Sequence, residues 1–181
     1  MIKSPDTDVA VISCAFSHDI NARLLFCIGA KQRQRYIDIN AIGRSLGEDV
    51  CKALPGMHAF TGCDSTSAFV GKSKKQAFQL LESDEEMCNA MKAVGNSFDE
   101  DEERLRGCSR FVCSLYGHSG EDTDSVRYKL FCTKNAQTCH LKPTKDALKY
   151  HVARANYQAR IWNQRLEATA PTPTQMVMGG S

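Results

Sequence analysis

The sequence predicts an α/β N-terminal part followed by a mainly helical C-terminal part, on three observations. Residues Asp8 to Phe16 (DVAVISCAF) form a β-branched, nearly continuous apolar run, the pattern of a buried parallel strand. Beyond Ser65 the apolar residues fall instead into helical spacing. Hydrophobic residues make up 42% of 181 positions, enough for the core of one ordinary domain and too many for wholesale disorder.

Taken in order, Asp8–Phe16 is the first expected strand. Arg23–Ile28 (RLLFCI) is a second and Arg35–Ile39 (RYIDI) a short third, with Gly29–Arg33 in the connection. Asn40 is the expected N-cap of a short helix, Ala41–Leu46, which Gly47 ends. Glu48–Leu54 begins another helix, and Pro55-Gly56 is expected to interrupt it. Helices follow at Lys74–Glu82, Asp84–Val94, Glu100–Tyr116 and Asp124–Phe131, with Asn135–Pro143 as a loop. Thr144 then caps the clearest helix, Lys145–Leu166. Its apolar positions Leu148, Val152, Ala155, Ala159, Trp162 and Leu166 make one stripe, expected to pack on its own domain. The expected organisation is a core with a helical hairpin over 1–83, a helical extension over 84–167 and a disordered tail over 168–181.

Charge is segregated although the formal net charge is only +2. Acidic residues crowd Glu82 to Glu103, including the run Asp99–Glu103, and basic ones gather at Lys142, Lys145, Lys149, Arg154, Arg160 and Arg165. Such blocks read first as solvated helix faces. No run approaches a membrane span, and Met1-Ile2-Lys3-Ser4 has no apolar signal region, so a nuclear or cytoplasmic setting is expected. The nine cysteines are odd in number and several lie inside apolar runs, which points to thiols in a reducing compartment. Cys132, Cys139 and His140, with His118 or Cys113, match no common zinc spacing and read as idle thiols. Cys63, with His58 as its base, could be imagined as a nucleophile; a small cysteine buried in a turn is the plainer reading. His18 and His151 show no partner pattern.

Two groups of carboxylates could carry chemistry. Asp6 and Asp8 stand two residues apart in Ser4-Pro5-Asp6-Thr7-Asp8, where a strand edge would point both to one side. Asp64 sits in Thr61-Gly62-Cys63-Asp64-Ser65-Thr66, a glycine-containing turn. Oxygen donors of this kind suit Mg²⁺ or Mn²⁺, and a pair of such ions would activate water for phosphodiester cleavage. Gly71-Lys72-Ser73-Lys74-Lys75 then opens a helix whose N-terminal N–H groups and lysines suit a phosphate.

In this order, the motifs from Asp6 to about Leu81 resemble the C-terminal half of the nuclease core of the flap endonuclease family, the XPG group of PIN-like nucleases. Asp6 and Asp8 match its acidic pair, Gly62-Cys63-Asp64 its Gly-x-Asp turn, and Gly71, Lys75 and Ala77 its helical hairpin. The segments LPGMHAFTGCDSTSAFVGKSKKQAF and PTKDALKYHVARANYQARIW also resemble those of multicopy animal proteins related to mobile elements. The resemblance implies a partial PIN-like parallel sheet and a metal-dependent, structure-selective endonuclease, or a degenerate, truncated relative of one. It implies Asp6, Asp8 and Asp64 as catalytic ligands of Mg²⁺ or Mn²⁺, and Gly71, Lys72, Lys74 and Lys75 on the nucleic-acid backbone, DNA in preference to RNA. The alternative is a non-catalytic nucleic-acid-binding or protein-interaction module that keeps the fold.

Two departures from the family pattern bear on activity. The family completes its site with acidic residues from the other half of the core, which here would have to come from an upstream segment or a further chain. Its second hairpin glycine is replaced by Ser73; if that position required a positive φ, serine would cost about 1 kcal/mol or more there.

Overall fold

The computed structural model describes residues 1–29, 33–99, 101–119, 124–125, 127–128 and 143–164. Among them are a small mixed sheet of three strands and seven helices, so the fold is α/β but mostly helical. β1 (Ile2–Lys3) pairs in parallel with β2 (Leu25–Ile28), placing Ile2 opposite Phe26. β2 pairs antiparallel with β3 (Arg35–Asp38), Phe26 opposite Ile37. The expected second and third strands are therefore present, but the sheet is not all parallel.

The first expected strand is instead a helix, α1 (Thr7–Ala15). A continuous apolar run has no periodicity to separate strand from buried helix. Here the residue before it decides. Asp6 adopts extended backbone and its carboxylate accepts from the Asp8 N–H at 2.9 Å, an N-cap that starts a helix. The strand feeding α1 is the two-residue β1, so Asp6 and Asp8 lie at a helix start, just past the carboxyl end of a parallel strand.

α2 (Ile39–Leu46) is capped by Asp38, not Asn40. Asn40 is used elsewhere: its Oδ1 accepts from Leu24 N and its Nδ2 donates to Ala22 O, tying α2 to the entry of β2. Gly47 ends α2 as expected.

α3 (Glu48–Phe60) runs straight through Pro55-Gly56. Proline removes one helical N–H and costs roughly 3 kcal/mol in an exposed helix. In α3 every residue from Ala53 to Phe60 is buried, and that packing outweighs the local preference. α3 is the hub of the molecule, packed against α1, α2, α4 (Lys74–Ser83), α5 (Glu85–Ala93) and α7 (Lys145–Asn163). α6 (Glu102–Leu115) closes the core against α4, α5 and α7. Phe60 sits at its centre, its ring edge-on to Phe69 and Phe111.

Between α3 and α4, residues 62–73 form turns and irregular backbone with one isolated bridge, so the helical spacing read beyond Ser65 becomes helix only from Lys74. The Lys74, Asp84 and Glu100 helices are present as α4, α5 and α6, and Thr144 caps α7 through Ala147 N. The α7 stripe from Leu148 to Trp162 is buried, so it packs on its own domain. Positions 124–125 and 127–128 are helical; the rest of the expected Asp124–Phe131 helix, most of the Asn135–Pro143 loop, Cys132, Cys139, His140, Leu166 and the tail lie outside the described residues. No described helix is long and apolar enough to cross a membrane.

Candidate functional site

The C-terminal end of α3 builds the site. Thr61 closes the helix, its hydroxyl donating back to Met57 O at 2.7 Å. Gly62 follows at φ +110°, where a Cβ would lie 2.9 Å from the Ala68 backbone, so both conformation and space demand glycine. Cys63 and Thr66 then pair through reciprocal backbone hydrogen bonds of 3.1 and 3.3 Å. Thr66 is anchored below by its hydroxyl, 2.6 Å from Ala59 O. Asp64 and Ser65 are left at the exposed tip, and the Ser65 hydroxyl donates to Gln158 Oε1 of α7 at 2.7 Å.

Beneath this tip runs a line of polar side chains drawn from three helices. His58 of α3 is buried, its side chain 5% exposed, with its ring tilted against Trp162 at 5.6 Å. Its Nε2 lies 2.7 Å from Asp8 Oδ1 of α1, and its Nδ1 2.9 Å from Lys74 Nζ of α4. Because an ammonium can only donate, the imidazole proton belongs on Nε2, which donates it to Asp8. Lys74 Nζ also donates to His58 O at 3.1 Å, to Gly62 O, and at 3.4 Å to Thr61 Oγ1. It thereby caps the carbonyl end of α3, where a positive charge is favoured by the helix dipole. Burial pulls the Lys74 ammonium below its ordinary pKa, opposed by the neighbouring Cys63 and Asp8. Burial likewise pushes the Cys63 thiol up, but the hydroxyls and backbone N–H groups of Ser65 and Thr66 outweigh it and leave the thiol below its ordinary value.

The structure thus brings Asp8, Lys74 and the Gly62–Thr66 turn together, with His58 between them. The sequence weighed His58 only as a base for Cys63; both its ring nitrogens are already engaged. A histidine in an otherwise apolar helical stretch was the signal that it had to find buried partners. Gln158 and Trp162 carried no comparable signal.

The other expected residues are placed differently. Asp6 is the exposed cap of α1. Gly71 has φ +70° and turns the chain into α4. Ser73 has φ −99°, so this position needs no positive φ and carries no strain. It is the N-cap of α4 in a reciprocal capping box with Gln76. Lys72 Nζ lies 4.5 Å from the centre of the Tyr116 ring, a cation–π contact, while Lys75 is exposed in the first turn of α4.

For a divalent cation the donors do not converge. Among the described residues no group of three or more His, Cys, Asp or Glu side chains is placed to hold a metal ion. Asp6 caps α1, Asp8 gives one oxygen to His58, Asp64 is exposed at the tip of the turn, and the Lys74 ammonium already takes Gly62 O and Thr61 Oγ1. Asp6, Asp8 and Asp64 as placed here do not fit a two-metal centre. No protein-family model, no curated protein and no solved structure matches the chain.

Proposed function

We propose that this chain is a nucleic-acid-binding module of the flap-endonuclease type, with a PIN-like ancestry, that grips a phosphate backbone and does not cleave it with its own described residues. The observation that supports this is the meeting of the motifs. Asp8 and His58 are 50 residues apart in sequence, His58 and Lys74 16 apart, and all three share one hydrogen-bonded line under the Asp64 turn. One member of the acidic pair, Asp8, thus meets the start of the hairpin and the Gly-x-Asp turn through His58 and Lys74, which supports the reading.

In this reading Lys74 sets the height of the hairpin against α3. Gly71, Lys72 and Lys75 face the backbone, with the N-terminus of α4 behind them. The position of Asp6 and Asp8 past the carboxyl end of β1 agrees with the general placement of ligands in open α/β sheets. Asp8, with one oxygen oriented by a buried histidine, is the carboxylate best prepared to join a cation site if further acidic groups are brought to it.

The test is binding and cleavage of a labelled branched DNA with Mg²⁺ and Mn²⁺. The expected result is binding without cleavage. Lys72→Ala with Lys75→Ala should weaken binding and flatten its logarithmic salt dependence by about 1 per lysine. Cleavage abolished by Asp64→Ala would replace this proposal with an active nuclease, and failure to bind any nucleic acid would remove it.

A further inference from the structure

α7 has two unlike faces. The inward one, with Leu148, Val152, Ala155, Ala159 and Trp162, is buried in the core. On the outward one stand Tyr150, Tyr157 and Ile161, which are 68%, 45% and 37% exposed. Their spacings of seven and four residues place them in one row along the helix, with the exposed Arg154 between them. Phe98, 38% exposed, widens the row: its ring lies 5.8 Å from that of Tyr157, and the Arg160 guanidinium lies 5.7 Å from its centre.

The chemistry of this row selects its partner. A contiguous row of large side chains on a solvent face, two of them flat rings, marks an interaction surface. On this face Arg154 lies within the row and Lys149 and Arg160 flank it, against a single acid of α7, Asp146, so the charge along the row favours an anionic partner. Unpaired nucleobases on a phosphate strand meet both requirements, whereas a duplex hides its base faces in the stack. Position adds a third argument. Gln158, next to this row on α7, accepts the hydroxyl of Ser65, so the row is continuous with the turn that carries Asp64. From Tyr150 to Ile161 the row spans roughly 16 Å at 1.5 Å per residue, room for a few nucleotides.

We propose that the outer face of α7 is a stacking platform for single-stranded nucleic acid: Tyr150 and Tyr157 take bases, and Arg154 and Arg160 take the adjoining phosphates. The platform rests on the nucleic-acid reading above and extends it from the phosphate-gripping turn to a neighbouring surface for an unpaired strand.

The test compares two probes on the full chain: a labelled oligothymidylate of about twenty nucleotides, longer than one such platform, and a duplex of equal length. The double variant Tyr150→Ala, Tyr157→Ala should weaken oligothymidylate binding roughly ten- to a hundredfold and leave duplex binding unchanged. Tyr150→Phe with Tyr157→Phe, which keeps the rings, should bind like the wild type. Circular dichroism should show both variants folded, since the residues changed lie on the solvent face. Unchanged oligothymidylate affinity in the alanine variant, with duplex binding weakened in Lys72→Ala, Lys75→Ala, would overturn the platform and leave the backbone grip standing. An alanine variant that loses self-association in sedimentation but keeps its oligothymidylate affinity would overturn it in favour of a contact between copies. A wild type that binds neither probe would overturn the platform, and one that binds neither these probes nor the branched DNA would overturn both proposals.

Discussion

The two sides of the α3 terminus use the same set of motifs in opposite ways. On the inner side, Asp8, His58 and Lys74 turn towards each other and towards helix-end carbonyls. On the outer side, Asp64, Lys75 and the Gly71 turn face solvent. A motif residue whose hydrogen bonds are all made within the chain is part of the building. One held at the tip of a rigid turn is presented to something else. The lysine run shows the division most sharply: both Lys74 and Lys75 are exposed, but the Lys74 ammonium is turned onto the carbonyls that end α3. Adjacent positions on a helix are about 100° apart, so one turn of α4 can serve both sides.

If the inner side is structural, its centre should dominate stability. His58→Ala removes a buried ring that packs on Trp162 and leaves Asp8 and Lys74 without the group between them. A loss of roughly 3 kcal/mol is expected in denaturant unfolding, from the lost packing and the stranded hydrogen-bonding groups. A change below about 1 kcal/mol would mean that water replaces the imidazole easily, and the contrast between the two sides would collapse.

A smaller effect sharpens the same contrast through pH. His151 donates from Nε2 to Phe60 O at 2.7 Å, between the Phe60 and Phe69 rings. Burial holds its pKa below the ordinary 6.5; the Phe60 carbonyl opposes this and the Arg154 charge adds to it. Below pH 6.5 the unfolded chain takes up a proton that the folded His151 refuses. Its contribution to stability is therefore complete above that pH and is lost as pH falls through the lowered native value. The melting temperature should drop over this range, and His151→Gln, which can still donate to Phe60 O, should flatten the drop. An equally steep drop in the variant would assign the acid sensitivity to other groups.

Much of this arrangement was legible in the sequence where local chemistry was decisive. Thr144, Gly47 and the α4 start announced themselves because caps and helix-ending glycines act within a few residues. The buried stripe of α7 was legible because its spacing admits one helix face. What failed was what packing decides. DVAVISCAF has the composition of a strand, and its helical state rests on the Asp6 cap and the seat of α1 against α3. Pro55-Gly56 looked like a stop, yet burial on all sides of α3 carries the helix past it. The candidate site divided in the same way. Motif order singled out Asp8, Asp64 and the lysines as candidates, but which of them turn inward depends on His58 and Trp162, and neither belongs to a motif. The outer row of α7 was not legible because the buried stripe dominates the apolar period of the helix and Tyr150, Tyr157 and Ile161 stand among charged and polar residues.

The outer side gives the smallest stability effect and the most informative one. Asp64 is exposed at the tip of the Cys63–Thr66 turn, and the hydrogen bonds that fix this turn belong to Gly62, Cys63, Ser65 and Thr66. Asp64→Ala should therefore change unfolding stability by no more than about 0.5 kcal/mol. If a phosphate strand lies across the turn, this carboxylate repels it, and the variant should then bind single- and double-stranded DNA slightly more tightly, most visibly at low salt. Weaker binding in Mg²⁺, with no change in EDTA, would show instead that Asp64 holds a cation between itself and the phosphate. The outer turn would then be half of a metal centre, with Asp8 as the inner-side carboxylate available to join it.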